Sequence, residues 1–178
     1  MEAIIGVVGT VLGTILGWLL NSLSQKGRLY FYIKQWEDKF EEHEDGGLTK
    51  CTSIESAECY TFSLNLDIYN SSAETKIMRD ILVVFANGKQ ILRAITPKDY
   101  ATQRYAAHSY HYDDVGPINI PPKTVINLVL YYYEWDNNKS LKKFFNTNKI
   151  FLQYTDEKNQ TKKVLISSKN YEYYFLSQ

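Results

Sequence analysis

The residues best equipped for chemistry lie in the run Tyr-Ala-Thr-Gln-Arg-Tyr-Ala-Ala-His-Ser-Tyr-His-Tyr-Asp-Asp, from Tyr100 to Asp114. His108-x-x-His111, followed by Asp113 and Asp114, has the residue types of a metal site. Its spacing argues otherwise. On a strand, positions three apart point to opposite faces, and only a helical turn would bring both rings together. With no third ligand at a recognisable spacing, no metal is expected. Tyr100, Tyr105, Tyr110 and Tyr112 sit among polar groups, as aromatic anchors do in recognition surfaces. With His108 and His111 they form the candidate partner-binding set.

Other titratable groups give weaker signals. Glu37, Asp38, Glu41, Glu42, Glu44 and Asp45 cluster ahead of Gly46-Gly47. They lack the spacing of a calcium loop and read as a solvated acidic stretch. Cys51 and Cys59 are the two cysteines and do not form a metal-type C-x-x-C pair. They would close a small loop in an oxidising compartment and remain thiols in a reducing one. The sequence has no G-x-S-x-G elbow, phosphate-binding loop, G-x-G-x-x-G or H-E-x-x-H. Asp113 and Asp114 are neighbours, which diverge on a strand. No enzymatic activity and no cofactor are expected.

A different pattern opens the chain. Residues 3–20 are uncharged and mostly apolar, within the roughly 17–25 residues that a bilayer-spanning helix needs. Gly6, Gly9, Gly13 and Gly17 would fall within an arc of about 80° at about 100° per helical residue. Small residues so spaced let two membrane helices approach closely. Thr10, Thr14 and Asn21 border that stripe and could bond across a helix pair. The expectation is a single-pass membrane helix, in contact with lipid, that forms a homo-oligomer through Gly6, Gly9, Gly13, Gly17, Thr10 and Thr14. Glu2 is the charged side chain before the apolar core, and Asn21-Ser22-Leu23-Ser24 is a poor cleavage site, so the segment reads as an uncleaved anchor. Lys26 and Arg28 follow it, which places the N-terminus outside and the remainder in the cytoplasm.

Composition sets the outer bounds. The 20 basic and 20 acidic residues balance, so no overall field recruits nucleic acid. Fifteen Tyr among 178 residues, with many Ile, Val, Leu and Thr, are strand-forming material. Asn70-Ser-Ser, Asn138-Lys-Ser and Asn159-Gln-Thr are formal glycosylation sequons, relevant only to a lumenal domain. The Lys, Asn, Ile and Tyr usage suggests an AT-rich, bacterial genome.

The elements that must position the candidate residues follow from the period-2 patterns. Strands are expected over 28–36, 58–69, with Tyr60, Phe62, Leu64, Leu66 and Ile68 on one face, and 77–86. Asn87-Gly88 signals a two-residue hairpin returning through 90–95. Residues 98–114 fit no single period. Residues 124–135 form a long strand whose second face carries Val129, Tyr131, Tyr133 and Trp135, apolar enough to need cover by another element or by a partner. Residues 140–145 make a short amphipathic turn, either packed over the domain end or touching an anionic membrane surface. Residues 149–155 and 160–167 close a hairpin, and Tyr171–Leu176 adds an edge strand.

This succession of short strands resembles immunoglobulin-like or fibronectin-like domains, implying a mainly β chain with an antiparallel β-sandwich; a small β-barrel is the alternative. Domain boundaries are set at 1–24 for the helix and 25–178 for the sandwich. The function expected is a membrane-anchored binding or scaffolding module with a protein or small-ligand partner. The alternative is a membrane-perturbing effector of toxin or defence type, whose β domain senses a ligand and whose helices cluster.

Overall fold

A computed structural model describes residues 2–25, 27–44, 46–51, 53, 55–136 and 141–169; inside its helices, side chains are described at residues 9–22 and 144–145. The chain runs α1 (Glu2–Gln25), β1 (Leu29–Glu44), β2 (Gly47–Lys50), β3 (Cys59–Asn70), β4 (Lys76–Asn87), β5 (Gln90–Ile95) and β6 (Lys98–Asp99). After a 3-10 turn at Tyr100–Thr102 come β7 (Arg104–Ala106), β8 (Ser109–His111), β9 (Ile118–Ile120), β10 (Val125–Trp135), α2 (Lys142–Phe145), β11 (Lys149–Thr155) and β12 (Thr161–Ser168). Two open sheets face each other: β2-β1-β3-β10-β6 and β12-β11-β4-β5, with β9 pairing the start of β4. The fold is a mainly β sandwich, and the barrel alternative does not hold because neither sheet closes on itself.

Alternation builds the interior. Tyr60, Phe62, Leu64, Leu66 and Ile68 of β3 are all buried, facing Met78, Ile81, Val83 and Phe85 of β4. Phe62 stacks on Trp36 at 4.9 Å and on Tyr132 at 5.5 Å. Leu141, Phe144 and Phe145 are buried as well, with Phe144 stacked on Tyr60 at 4.3 Å. The apolar side formed by Leu141, Phe144 and Phe145 is therefore core, and its membrane-surface alternative falls away.

Three local expectations are corrected. β1 does not stop at Trp36. A register shift between Ile33 and Gln35 inserts a bulge that reverses the strand's phase, so Trp36 and Phe40 reach the core on which Leu29, Phe31 and Ile33 already pack. The acidic stretch is consequently strand, with Glu41 buried and ion-paired to Lys39 at 2.6 Å. The β4–β5 loop is Gly88-Lys89, one residue later than expected, because Asn87 pairs with Gln90 and Gly88 supplies the positive φ. Asn70 is no glycan acceptor in the fold. It is fully buried, donates to Glu74 O, Ile120 O and Pro121 O, and accepts from the Ser72 amide and hydroxyl. The β11–β12 hairpin forms as expected. The Asn138 sequon and the expected strand at Tyr171–Leu176 lie outside the described residues.

The corner organised by Asn70 also receives the chain from α1. A Cβ on Gly27 would collide with the backbone nitrogen of Ser72, so only glycine permits this approach. Within α1, Val11, Leu12, Ile15, Leu16, Trp18, Leu19 and Leu20 are 43–68% exposed. Gly9, Gly13 and Gly17 have nothing within 4 Å of an added Cβ; Gly6 lies among residues whose side-chain surroundings are not described. Thr14 bonds Thr10 O at 2.8 Å, using within the helix the hydroxyl expected to reach a second helix. Among the residues whose side chains are described, which in α1 are 9–22, no helix is long and apolar enough to cross a membrane.

Both cysteines are buried and free, and burial pushes each thiol up to about 11. At pH 8 roughly one thiol in a thousand would be thiolate, so thiol reagents should label Cys51 and Cys59 only after denaturant is added; labelling of the native chain within minutes would contradict this burial. Gly27→Ala should destabilise the sandwich by about 1–3 kcal/mol, read as a fall in the denaturant midpoint. In the β11–β12 turn, burial opposes ionisation of Asp156, but the Gln160 and Lys158 amides and Lys162 outweigh it and hold the carboxyl below its usual range. A depressed carboxylate stabilises above its unfolded value of about 3.9 and loses that contribution as pH falls through the folded one. Asp156→Asn should therefore flatten the part of the acid-unfolding curve below about pH 4.

Candidate functional site

After Ile95 the chain leaves the second sheet and crosses to the first. Pro97 cannot donate to a ladder, and β6 bridges β10 only at Leu130 and Tyr131. Asp99 then caps the following turn, accepting from Ala101 N at 2.9 Å, while Thr102 receives Asp113 N on its hydroxyl at 2.8 Å. From this base the β7–β8 hairpin projects, every residue of both strands exposed. Its two loop residues, Ala107 and His108, both adopt positive φ, at 49° and 63°. A primed turn demands that conformation, although neither residue favours it and each costs about 1 kcal/mol. Arg104 Nη1 donates to both Asp113 carboxylate oxygens at 2.9 Å, tying the base of the hairpin together. Gln103 Nε2 donates to the Tyr112 hydroxyl at 2.6 Å.

The candidate residues separate into two groups. Tyr100 and Tyr112 pack together at 5.5 Å and both meet Tyr131 of β10, at 6.5 and 5.1 Å. The chain's own insertion thus supplies part of the cover that the outer face of β10 calls for. Tyr105 and Tyr110 meet edge to face across the hairpin at 5.2 Å, yet remain 65% and 64% exposed. His108 occupies the hairpin turn, while His111 Nε2 engages Ser109 Oγ at 2.9 Å and Ala106 O at 3.0 Å. The two histidines do not converge on one point, and among the described residues no group of three His, Cys, Asp or Glu is placed to hold a metal ion.

The aromatic surface continues beyond the expected set. Trp135 Nε1 donates to the Tyr133 hydroxyl at 3.0 Å, and the Trp135 ring lies 5.6 Å from His43. His43 escaped sequence reasoning because the β1 bulge sets its face. Beside these rings, Thr61 and Ser63 of β3 are small, so Tyr131 stands over a trough of about 560 Å³ bordered by Glu37, Lys39 and Lys50. On its other side a cleft of about 520 Å³ separates β8 from β10, with Lys98, His111 and five tyrosines along it. Lys98 is ion-paired to Asp114 at 2.7 Å.

Burial, with Tyr112 adding a smaller effect, pushes the Tyr131 phenol up to about 12. Tyr132, on the inner face, is raised by burial and by its 2.5 Å bond to Glu134, which Arg93 also holds. The Tyr131 and Tyr132 phenols are thus neutral near pH 7. Neutral phenols of this kind can stack on a ligand and both donate and accept hydrogen bonds.

A 166-residue stretch is 28% identical to the SPbeta prophage-derived uncharacterized protein YopI of Bacillus subtilis (strain 168), covering 92% of this chain and 89% of that protein. Solved structures show looser likenesses. The putative ApaA protein from Bordetella pertussis shares 9% identity at a TM-score of 0.36, over 80% of this chain and 91% of that one. An uncharacterized β-sandwich protein from Clostridium difficile 630 shares 11% identity at a TM-score of 0.33, again over 80% and 91%. Residues 27–167, from the glycine pressed against Ser72 to the far end of β12, match the family described as the YopI Ig-like domain, and the chain belongs to that family.

Proposed function

We propose that the chain is a single-pass, membrane-anchored recognition module. In this reading α1 holds the Ig-like domain at the cytoplasmic face of a bacterial membrane, self-associates along its glycines, and leaves the tyrosine surface free for a partner. The observation that carries it is the state of α1. Its large apolar side chains from Val11 to Leu20 are exposed, within an uncharged sequence run over residues 3–20. At about 25 cal/mol for each Å² of apolar surface, leaving such a helix in water is costly, and hydrocarbon removes that cost. Gly9, Gly13 and Gly17 lie open, as close helix association in lipid requires.

The recognition surface stands apart from that anchor. β10 starts at the corner where the chain enters from α1, since Asn70 N bonds Thr124 O and Ser71 N bonds Arg28 O. Tyr131 lies six residues beyond Val125, or ~20 Å at ~3.3 Å per residue. The tyrosines therefore suit a partner in the aqueous phase better than lipid. Clustering through α1 would multiply a weak contact by raising local concentration.

Alkaline carbonate extraction combined with protease protection of a C-terminal tag in sealed vesicles tests the anchor. The chain should remain in the pellet, with the tag cut only in inside-out vesicles. Crosslinked oligomers should decline several-fold when Gly13 and Gly17 become Leu. Extraction into the supernatant would refute the anchor, and unchanged crosslinking would refute the glycine interface. Depolarisation on expression that disappears in Gly13→Leu would instead assign the helix an effector role.

A further inference from the structure

The cleft between β8 and β10 has an unusual lining: residues 109–112 on one side and 131–133 on the other. Successive side chains of a strand alternate faces, so a cavity touched by consecutive residues lies on the strand's edge. The backbone groups at that edge can be assigned. Asn70 N bonds Thr124 O, and Asp136 N bonds Glu58 O. The β3–β10 register runs between these two bonds without a shift, so the even-numbered residues of β10 turn their N–H and C=O toward β3. Odd-numbered residues turn theirs the other way.

Tyr131 is met there by Lys98 of β6. Past it, Pro97 turns its carbonyl to Val115 N instead of toward β10, and among the described residues no strand pairs with that side of Tyr133 or Trp135. On β8, Ala106 and Ser109 flank the two-residue loop and exchange their backbone bonds. The groups of Tyr110 therefore point outward, away from β7. Among the described residues, the outward backbone groups of Tyr133 on β10 and Tyr110 on β8 therefore meet no other strand, and Tyr110, Tyr112, Tyr131 and Tyr133 line the cleft between them.

We infer that this cleft is a strand-addition slot that takes an extended peptide segment of a partner protein, with apolar or aromatic side chains at alternate positions. The inference rests on the recognition-module reading and names its partner class. Main-chain bonds to Tyr133 and Trp135 give affinity, and the tyrosines select alternate side chains, as in other strand-addition modes. Unpaired edges are the natural template for such pairing.

The test pans the full-length chain, in detergent micelles, against a displayed library of linear heptapeptides. The peptides recovered should carry apolar or aromatic residues at every second position. N-methylation of residues at one alternate set should weaken binding about tenfold, while methylation of the other set has little effect. Tyr110→Ala, on an exposed hairpin residue that the fold does not need, should also weaken it about tenfold. Tyr133→Ala should do the same. Peptides with helical spacing, indifference to N-methylation, or unaltered binding by Tyr110→Ala would overturn the slot. A chain that carbonate extracts but that still binds these peptides would sink the anchor and keep the slot. Stable anchoring with no alternating peptide recovered would do the reverse.

Discussion

The register between β3 and β10 is the constraint on which both the interior and the outer tyrosine surface depend. Leu64 opposes Leu130 and Phe62 opposes Tyr132, so one set of side chains enters the core. The intervening Tyr131, Tyr133 and Trp135 are thereby committed to the outer face. A slip of one residue would exchange the two sets, burying Tyr131 and Tyr133 and exposing Leu128 and Leu130. Bonds at both ends of β10, to Asn70 and to Glu58, hold the strand against such a slip. Inside, the Arg93–Glu134 pair and the Tyr132 hydroxyl tie β10 to β5 of the opposing sheet. A half-buried network of this kind favours one arrangement over its neighbours, because a shift would break the Arg93–Glu134 pair.

Onto this fixed strand the segment from Pro97 to Asp114 is added as a structured insertion rather than a loose loop. Its base is closed by the Lys98–Asp114 ion pair and by Asp99 N bonding Asp113 O, and its stem by Arg104 and Asp113. The two positive-φ residues, Ala107 and His108, form the turn at the far end of this insertion.

Much of the sandwich is legible in the residues themselves. β3 and the β11–β12 hairpin declare their faces because alternation runs unbroken through Tyr60–Ile68 and Ile150–Tyr154. β1 misleads for a physical reason: the bulge at Lys34 interrupts the period just where acidic residues begin, and the strand's continuation resembles a solvated loop. The hairpin between Arg104 and His111 carries no Gly or Asn to mark its turn. Tyr100, Tyr112 and Tyr131 meet through long-range pairing that no local pattern encodes. The aromatic character of the site is therefore visible in the chain, whereas its geometry arises from the crossing at Pro97 and the register of β10.

Native-state hydrogen exchange of the free chain, resolved along β10, tests this register most directly. The amides of Leu128, Leu130, Tyr132 and Glu134 should be strongly protected by β3, and Tyr131 by β6, while Tyr133 and Trp135 exchange orders of magnitude faster. Protection of Tyr133 and Trp135 with rapid exchange at Tyr132 and Glu134 would contradict the register and the surface built on it.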